Sequence, residues 1–201
     1  HAGGPEVFDI GPNTRVIHLP AGDPNLVKSE VVPHLSEYRD RLLRFVETEG
    51  FGYDLVHSHY WLSGSVGNAI AEHWGLPNVV SFHTLAAIKE REGLEMEPFT
   101  RKIAESEMAR DATLVFAFTE DERVELHTLF GISKDRVHVA PGGVDLKLFW
   151  PLDRGIARKR LGFSNDENII LFVGRPEPFK GPDVLIHALP HIQATRPTRL
   201  V

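Results

Sequence analysis

Short β-rich runs alternate with stretches of helical length along this chain, and that alternation limits the folds open to it. Strands are predicted at "TRVIHLP" (14–20), "YDLVHSH" (53–59), "PNVVSFH" (77–83), "TLVFAFT" (113–119) and "RVHVAPGG" (136–143). A further β-α unit begins at Asn168. Strands separated by helix-length segments predict an α/β fold, with a mostly parallel, Rossmann-like sheet and helices on both faces.

The intervening segments carry helix signals. Helices are predicted at "HLSEYRDRLLRFVET" (34–48), "SGSVGNAIAEHWG" (63–75), "EPFTRKIAESEMARDA" (97–112) and "EDERVELHTLFG" (120–131). Gly75 and Gly131 are typical of helix ends, and Pro98 suits a first turn. The segment 149–167 is charged and interrupted by proline and glycine, which predicts two domains, residues 1–150 and 151–201.

Composition excludes several classes of protein. A formal charge of −6 provides no net basic field for nucleic acid, so we expect no nucleic-acid partner. Zero cysteines exclude disulfide scaffolds, thiolate zinc sites and cysteine nucleophiles, while leaving the compartment open. The longest apolar runs, "IILFV" and "LVFAF", are far too short to span a membrane.

Unusual polar residues follow the predicted strands, where ligands bind in parallel sheets. His57 and His59, in "HSHYW", are two apart on a strand and point the same way, and His83 follows the next strand. Three imidazoles could bind a metal, as in a metal-dependent hydrolase. Alternatively, one histidine caps a carbonyl and another contacts substrate hydroxyls.

Two further segments could receive an anion. Arg175 and Lys180 lie in a strand–loop–helix unit, and a helix starting near Gly181 would add positive potential from its first N–H groups. The alternative is a pair of solvated surface cations. Gly142 and Gly143, in "PGGVD", permit positive φ and close ligand approach, or form a plain linker turn. The glycines match neither GxGxxG nor GxxxxGK[ST].

Taken together, these segments resemble a known family. "PGGVDLKLFWP" followed by "FVGRPEPFKGPDVLIHAL" is similar to the junction of GT-B glycosyltransferases of the group 1 (family 4) type. "YDLVHSHYWLSGSVG" and "HTLAAIK" resemble most closely the mycothiol-type and sucrose-phosphate synthase branches. The family moves a sugar, with retention of configuration, from a nucleotide diphosphate to an acceptor hydroxyl, in the cleft between two Rossmann-like domains.

The resemblance implies roles for individual residues. Arg175 and Lys180, with Gly142 and Gly143, would hold the donor diphosphate, and His83 would lie near the transferred sugar. Acceptor-phosphate contacts in the mycothiol-type members fall on Lys28, Tyr60, Thr84 and Arg101. No cofactor or metal is implied, and a UDP-sugar is the expected donor, with an ADP-sugar as the alternative.

Departures from the family pattern lead to an expectation about the chain itself. The family's first strand with its glycine-rich loop, and a pair of glutamates eight apart, have no match here. We therefore expect an internal fragment that lacks the first strand, contains the start of a second domain, and is inactive or nearly so alone. The intact parent would be a cytoplasmic hexosyltransferase with small-molecule partners, its oligomeric state open and a dimer one alternative. The competing classes are the histidine-based hydrolase and a non-catalytic sugar-phosphate binding module.

Overall fold

The computed structural model describes residues 5–50, 52–93 and 96–201. The chain divides into two compact units, His1–Gly142 and Gly143–Val201. The division therefore falls a few residues before the junction near residue 150 that the sequence suggests. The limits of the two domains in the intact protein stay a prediction.

The first unit begins with an antiparallel hairpin. Strand β1 (Glu6–Gly11) pairs with β2 (Thr14–His18), and the turn places Asn13 at φ 54°, a conformation that asparagine tolerates. The predicted strand at 14–20 is therefore a strand, but it pairs with a segment that the pattern did not predict. It forms a separate two-stranded sheet rather than part of a parallel one.

Four parallel strands form the main sheet of this unit, as the alternating pattern predicts. In sheet order they are β3 (Val56–His59), β4 (Asn78–Ser81), β5 (Leu114–Ala117) and β6 (Val137–Val139). Consecutive strands are neighbours, and each is joined to the next through one or more helices. All four carboxyl ends therefore lie at one edge of the sheet, where parallel sheets bind ligands.

Five helices accompany the sheet: α1 (Leu35–Glu49), α2 (Tyr60–Trp74), α3 (Ala86–Arg91), α4 (Phe99–Asp111) and α5 (Glu120–Phe130). Gly75 and Gly131 end α2 and α5 in the left-handed conformation, as predicted. Helix α3 was not predicted, because its six residues are too few to show a helical period. At the start of α5, the Thr119 side chain accepts from the Glu122 N–H.

The core lies where α2, α4 and α5 cover the sheet. Val80, Val115 and Val137 face these helices from successive strands, and Met108 and Leu126 meet them from α4 and α5. Alternate strand positions facing the other way, such as His57 and Phe116, are less buried. Helix α1 packs on α2 and buries Phe45 and Val46.

The second unit is smaller and lacks a closed core. It contains α6 (Arg154–Leu161), β7 (Ile169–Ile170), α7 (Pro182–Gln193) and β8 (Arg199–Leu200), with β7 and β8 paired in parallel. The sequence predicts one strand and one helix beyond Asn168, so α6 and β8 are additions to that prediction. Among the side chains that the structure describes in this unit none is fully buried, and Leu171, Val173 and Val184 are exposed.

The length and hydropathy of the helices in both units decide whether any of them could span a membrane. Across residues 5–50, 52–93 and 96–201, no helix is long and apolar enough to cross a bilayer.

Two glycines allow α2 to lie close to its neighbours. A Cβ atom on Gly67 would lie 1.8 Å from the Ser58 Oγ atom on β3, and one on Gly64 would lie 2.0 Å from the Met108 Cε atom on α4. Both distances are far below any real carbon contact. The small residues of α2, which the sequence shows as "SGSVGNAIA", therefore set how near this helix lies to the sheet.

We expect Gly67→Ala to destabilise the protein by about 1–3 kcal/mol, the usual range for an overpacked site. The overlap with Ser58 should outweigh the roughly 1 kcal/mol that alanine contributes in a helix relative to glycine. Urea unfolding followed by circular dichroism measures the change. As a control, Gly52→Ala places its Cβ in open space and should shift stability by less than about 0.5 kcal/mol. Equal stability of the two variants would contradict the packing argument.

Candidate active site

The carboxyl ends of β3 and β4 bring the unusual polar residues of the first unit together. Residues His59 and Ser81 are paired across these strands, so the segments that follow leave the sheet side by side. The two segments carry Tyr60 at φ 73° and His83 at φ 64°. Such a conformation costs a non-glycine residue about 1–3 kcal/mol and concentrates at functional sites. The backbone alone therefore marks this edge as a candidate site.

Three imidazoles form a chain along this edge. The rings of His57 and His59 are 4.2 Å apart between centroids, as expected for residues that point to the same side of a strand. The His59 Nδ1 and His83 Nε2 atoms lie 2.8 Å apart, so one ring donates a hydrogen bond and the other accepts it. The Nε2 atom of His57 lies 3.1 Å from the Ser81 hydroxyl. Phe118 packs against the other side of His83, with centroids 4.9 Å apart.

The cluster disfavours protonation of two of its members. Burial lowers the pKa of His57, and the nearby His59 and His83 lower it further. Burial likewise lowers the pKa of His59, with His83 adding to the effect. Positive charge on one ring opposes charge on the next, so the surroundings of His57 and His59 favour their neutral forms.

The histidines do not form the metal site considered for a hydrolase. In the part of the chain that the structure describes, no three or more histidine, aspartate or glutamate side chains are arranged to hold a metal ion. His59 and His83 instead share a hydrogen bond, and His57 contacts a hydroxyl.

The four residues predicted to contact an acceptor phosphate come together around Tyr60. The Lys28 Nζ atom and the Arg101 Cζ atom each lie 5.1 Å from the centre of the Tyr60 ring. Arg101 also donates from Nη2 to the carbonyl oxygen and the hydroxyl of Thr84, at 2.9 and 3.0 Å. Segments as distant as residues 28 and 101 therefore converge on one hydroxyl-bearing ring.

Arg101 differs from the expectation in its surroundings. Its side chain is fully buried, and its Nε atom donates to the Glu105 Oε1 atom at 2.6 Å. Its Nη1 atom lies 2.9 Å from the Glu97 Oε1 atom. Glu97 also contacts Lys89, and the Glu105 Oε2 atom accepts from the Ala86 N–H at 2.9 Å. Arg101 is thus a buried, charge-compensated side chain, whereas Lys28 and Thr84 are exposed.

The carboxylates around Arg101 are functional candidates that sequence reasoning missed. Glu97, Arg101 and Glu105 are spaced four residues apart in "EPFTRKIAE". That spacing places charges on one helical face, and it could have indicated a carboxylate–guanidinium–carboxylate cluster. On a surface helix the same pattern would be an ordinary solvated set of ion pairs. Only the tertiary packing buries the cluster, and burial is what makes the pairing of its charges energetically important.

The predicted donor-side residues lie in or next to the second unit. Arg175 is exposed and contacts the Glu177 Oε1 atom at 2.7 Å. Lys180 ends a 3-10 turn (Pro178–Lys180), and Gly181 precedes α7 in the left-handed conformation, so the predicted helix start is confirmed. Neither Gly142 nor Gly143 adopts a positive φ, and a Cβ on either would meet no protein atom within 4 Å; the predicted approach of a ligand to these glycines stays a prediction.

Comparison with known proteins identifies the class. The glycosyl transferase 4-like domain family matches residues 1–143. The chain therefore belongs to the glycosyl transferase 4-like family, which confirms the resemblance carried by the strand-end and junction motifs.

Individual relatives agree with the family. The chain is 40% identical over 200 residues to D-inositol 3-phosphate glycosyltransferase of Xylanimonas cellulosilytica, covering 94% of this chain and 48% of that protein. Identity to the protein of the same name from Frankia alni is 40% over 200 residues, with 97% and 49% covered. The chain thus spans about half the length of the curated relatives it matches.

Solved structures confirm the fold. Sucrose-phosphate synthase from Thermosynechococcus elongatus superimposes with a TM-score of 0.84 at 27% identity, covering 99% of this chain and 49% of that one. Anabaena HepE in complex with UDP and glucose has a TM-score of 0.61 at 23% identity, covering 83% and 43%. The chain therefore has the α/β architecture of GT-B glycosyltransferases.

The histidine chain predicts a pH dependence of stability. Because the folded pKa values of His57 and His59 lie below the ordinary value near 6.5, the unfolded chain binds more protons as the pH falls through that value. We expect the urea midpoint to fall between pH 7.5 and pH 5.5. His59→Gln should flatten this dependence, whereas His73→Gln, which removes an exposed histidine of α2, should retain it. Equal slopes in wild type and His59→Gln would contradict the assignment.

Proposed function

We propose that the intact protein transfers a sugar from a nucleotide diphosphate to a small phosphorylated polyol or sugar, with retention of the anomeric configuration. The observation that carries the proposal is the convergence of Lys28, Thr84 and Arg101 around Tyr60. Two cations and two hydroxyls suit a phosphate dianion, which accepts several charge-assisted hydrogen bonds. Relatives named D-inositol 3-phosphate glycosyltransferase make an inositol phosphate the first candidate acceptor.

The donor half of the proposal rests on the second unit and on the family. As the sugar leaves, the departing diphosphate gains negative charge, which Arg175, Lys180 and the first turn of α7 would stabilise. HepE, a structural neighbour at 21% identity, has been solved in complex with UDP-glucose, and a UDP-sugar is our proposed donor. We further propose a cytoplasmic hexosyltransferase that requires no cofactor.

His83 has a place in the same proposal. It lies two residues after the end of β4, and its Nε2 atom already lies in a hydrogen bond with His59. The other ring nitrogen of His83 can form a hydrogen bond with a sugar hydroxyl. We propose that His83 contacts the transferred sugar and that His59 sets which of its nitrogens carries the proton. For the 201-residue chain alone we propose little or no turnover.

On the donor side, Arg175→Ala and Lys180→Ala should each lower kcat in the intact protein by about 10²–10³, the scale of losing one donor to a developing anion. Each removes a cation from the departing diphosphate while leaving the acceptor site unchanged. Steady-state kinetics with UDP-glucose and D-inositol 3-phosphate measure the loss. Arg160→Ala, an exposed cation on α6, serves as the matched control and should stay near wild type.

A chelator tests whether sugar transfer requires a metal ion at the donor site. Because the proposal assigns charge stabilisation to Arg175 and Lys180, transfer should persist in EDTA. Activity lost in EDTA and restored by Mg²⁺ would overturn this part of the proposal, and so would full activity of both alanine variants.

On the acceptor side, Lys28→Ala tests phosphate recognition without unfolding the protein, because Lys28 is exposed. Arg101→Ala is less suitable, since it leaves Glu105 buried without its cation, a change that typically costs about 3–5 kcal/mol. We expect Lys28→Ala to lower kcat/KM for D-inositol 3-phosphate about 10- to 100-fold, the equivalent of one hydrogen bond to a charged group. Transfer to unphosphorylated inositol should stay weak and unchanged.

The matched control for this variant is Lys134→Ala, an exposed lysine in the turn before β6. It should not alter either acceptor's kcat/KM. If the wild type shows no preference for the phosphorylated acceptor, the acceptor assignment fails while the donor assignment stands.

A further inference from the structure

The Nη1 atom of Arg101 differs from the other guanidinium nitrogens in how it contacts its partner. The Nε edge donates to Glu105, and Nη2 donates twice to Thr84. The Nη1 atom is buried and lies 2.9 Å from the Glu97 Oε1 atom, yet the contact lacks the directional geometry of a hydrogen bond. Of the groups around Arg101, Glu97 is therefore bound at ion-pair distance but without a directional bond.

Glu97 has two features that suit a displaceable group. Lys89 provides it with a second cation, so the carboxylate would keep a partner if it left Arg101. Burial alone would raise the pKa of Glu97, but a hydrogen bond from Lys89 and the positive charges of Arg101 and Lys89 outweigh burial and lower it, so the carboxylate stays charged. It belongs to the segment before α4 rather than to the helix, which begins at Phe99.

Glu97 also lines an open cavity beside the predicted acceptor residues. The cavity measures about 520 Å³ and is lined by Lys28, Ser29, Trp61, Glu97 and Thr100, among others. The Trp61 indole N–H is buried without a hydrogen-bond partner. Space for a small ligand thus lies between Lys28, which contacts the Tyr60 ring, and Glu97, whose carboxylate faces Arg101.

We infer that the Glu97 carboxylate neutralises Arg101 when no acceptor is bound. When the acceptor binds, its phosphate replaces the Glu97 carboxylate at Arg101. On release Glu97 keeps its ion pair with Lys89, so no buried carboxylate is left unpaired. A phosphate dianion carries enough charge to replace the carboxylate, whereas a neutral polyol does not. Glu97 is therefore a specificity-determining residue, and its role rests on the proposed phosphorylated acceptor.

Removing the Glu97 charge should tighten anion binding, whereas the loss of an ordinary binding residue weakens it. We expect Glu97→Gln to lower the Kd for inorganic phosphate by at least about fivefold, the lower end of typical coupling between competing contacts. Isothermal titration calorimetry on the intact protein measures it. Glu107→Gln, which removes a charge from an exposed position on α4, should leave the Kd unchanged.

Lys89→Met provides a second, independent variant should Glu97→Gln fold poorly. Without Lys89, Glu97 depends on Arg101 alone, so phosphate affinity should fall by a similar factor. Near-UV circular dichroism and the thermal midpoint establish that each variant is folded. An unchanged or weaker affinity in folded Glu97→Gln, or an unchanged affinity in folded Lys89→Met, overturns the inference.

Titrating D-inositol 3-phosphate and inositol in parallel separates this inference from the proposed function. If wild type binds both equally, the proposed acceptor is wrong, while the response of Glu97→Gln to inorganic phosphate still decides the role of Glu97. If wild type prefers the phosphorylated form and Glu97→Gln binds phosphate no better, the acceptor stands and only the inference fails.

Discussion

The buried guanidinium of Arg101 is the interaction on which the arrangement of the candidate site depends. Arg101 and Glu105 pair within α4; Arg101 binds Thr84 in the segment after β4, and Glu105 binds the first N–H of α3. One ion pair thus positions three separate segments at the carboxyl ends of the strands. Removing one partner of such a pair leaves an uncompensated buried charge, which is why the cluster behaves as a unit.

Backbone strain at the carboxyl ends of the strands also indicates that this region is functional. Tyr60, directly after β3, and His83, two residues after β4, adopt left-handed backbone conformations, where most residues would continue in the β or right-handed helical regions. Ring contacts surround both: Lys28 and Arg101 flank Tyr60, while His59 and Phe118 flank His83. The packing holds two unfavourable conformations in place, and the side chains they direct are those that the family resemblance assigns to substrates.

Prediction from sequence succeeded where a local signal was strong. The parallel strands and α1, α2, α4 and α5 followed from periodicity and from glycine and proline signals, because these are properties of neighbouring residues. It failed where the signal was short or depended on context. Helix α3 has six residues, β8 has two, and the pairing of β2 depended on β1, a segment with no pattern of its own.

The sequence by itself determined the fold class, the strand ends that carry His59, Tyr60, His83 and Thr84, and the family, because these depend on local pattern and on motifs that can be read in order. Only the tertiary structure decided what surrounds those residues. Glu97 and Glu105 look like ordinary helix charges until α4 packs against α2 and the sheet and removes them from water. A charge that costs little on a surface requires a partner when buried, so burial converts a common spacing into a defined site.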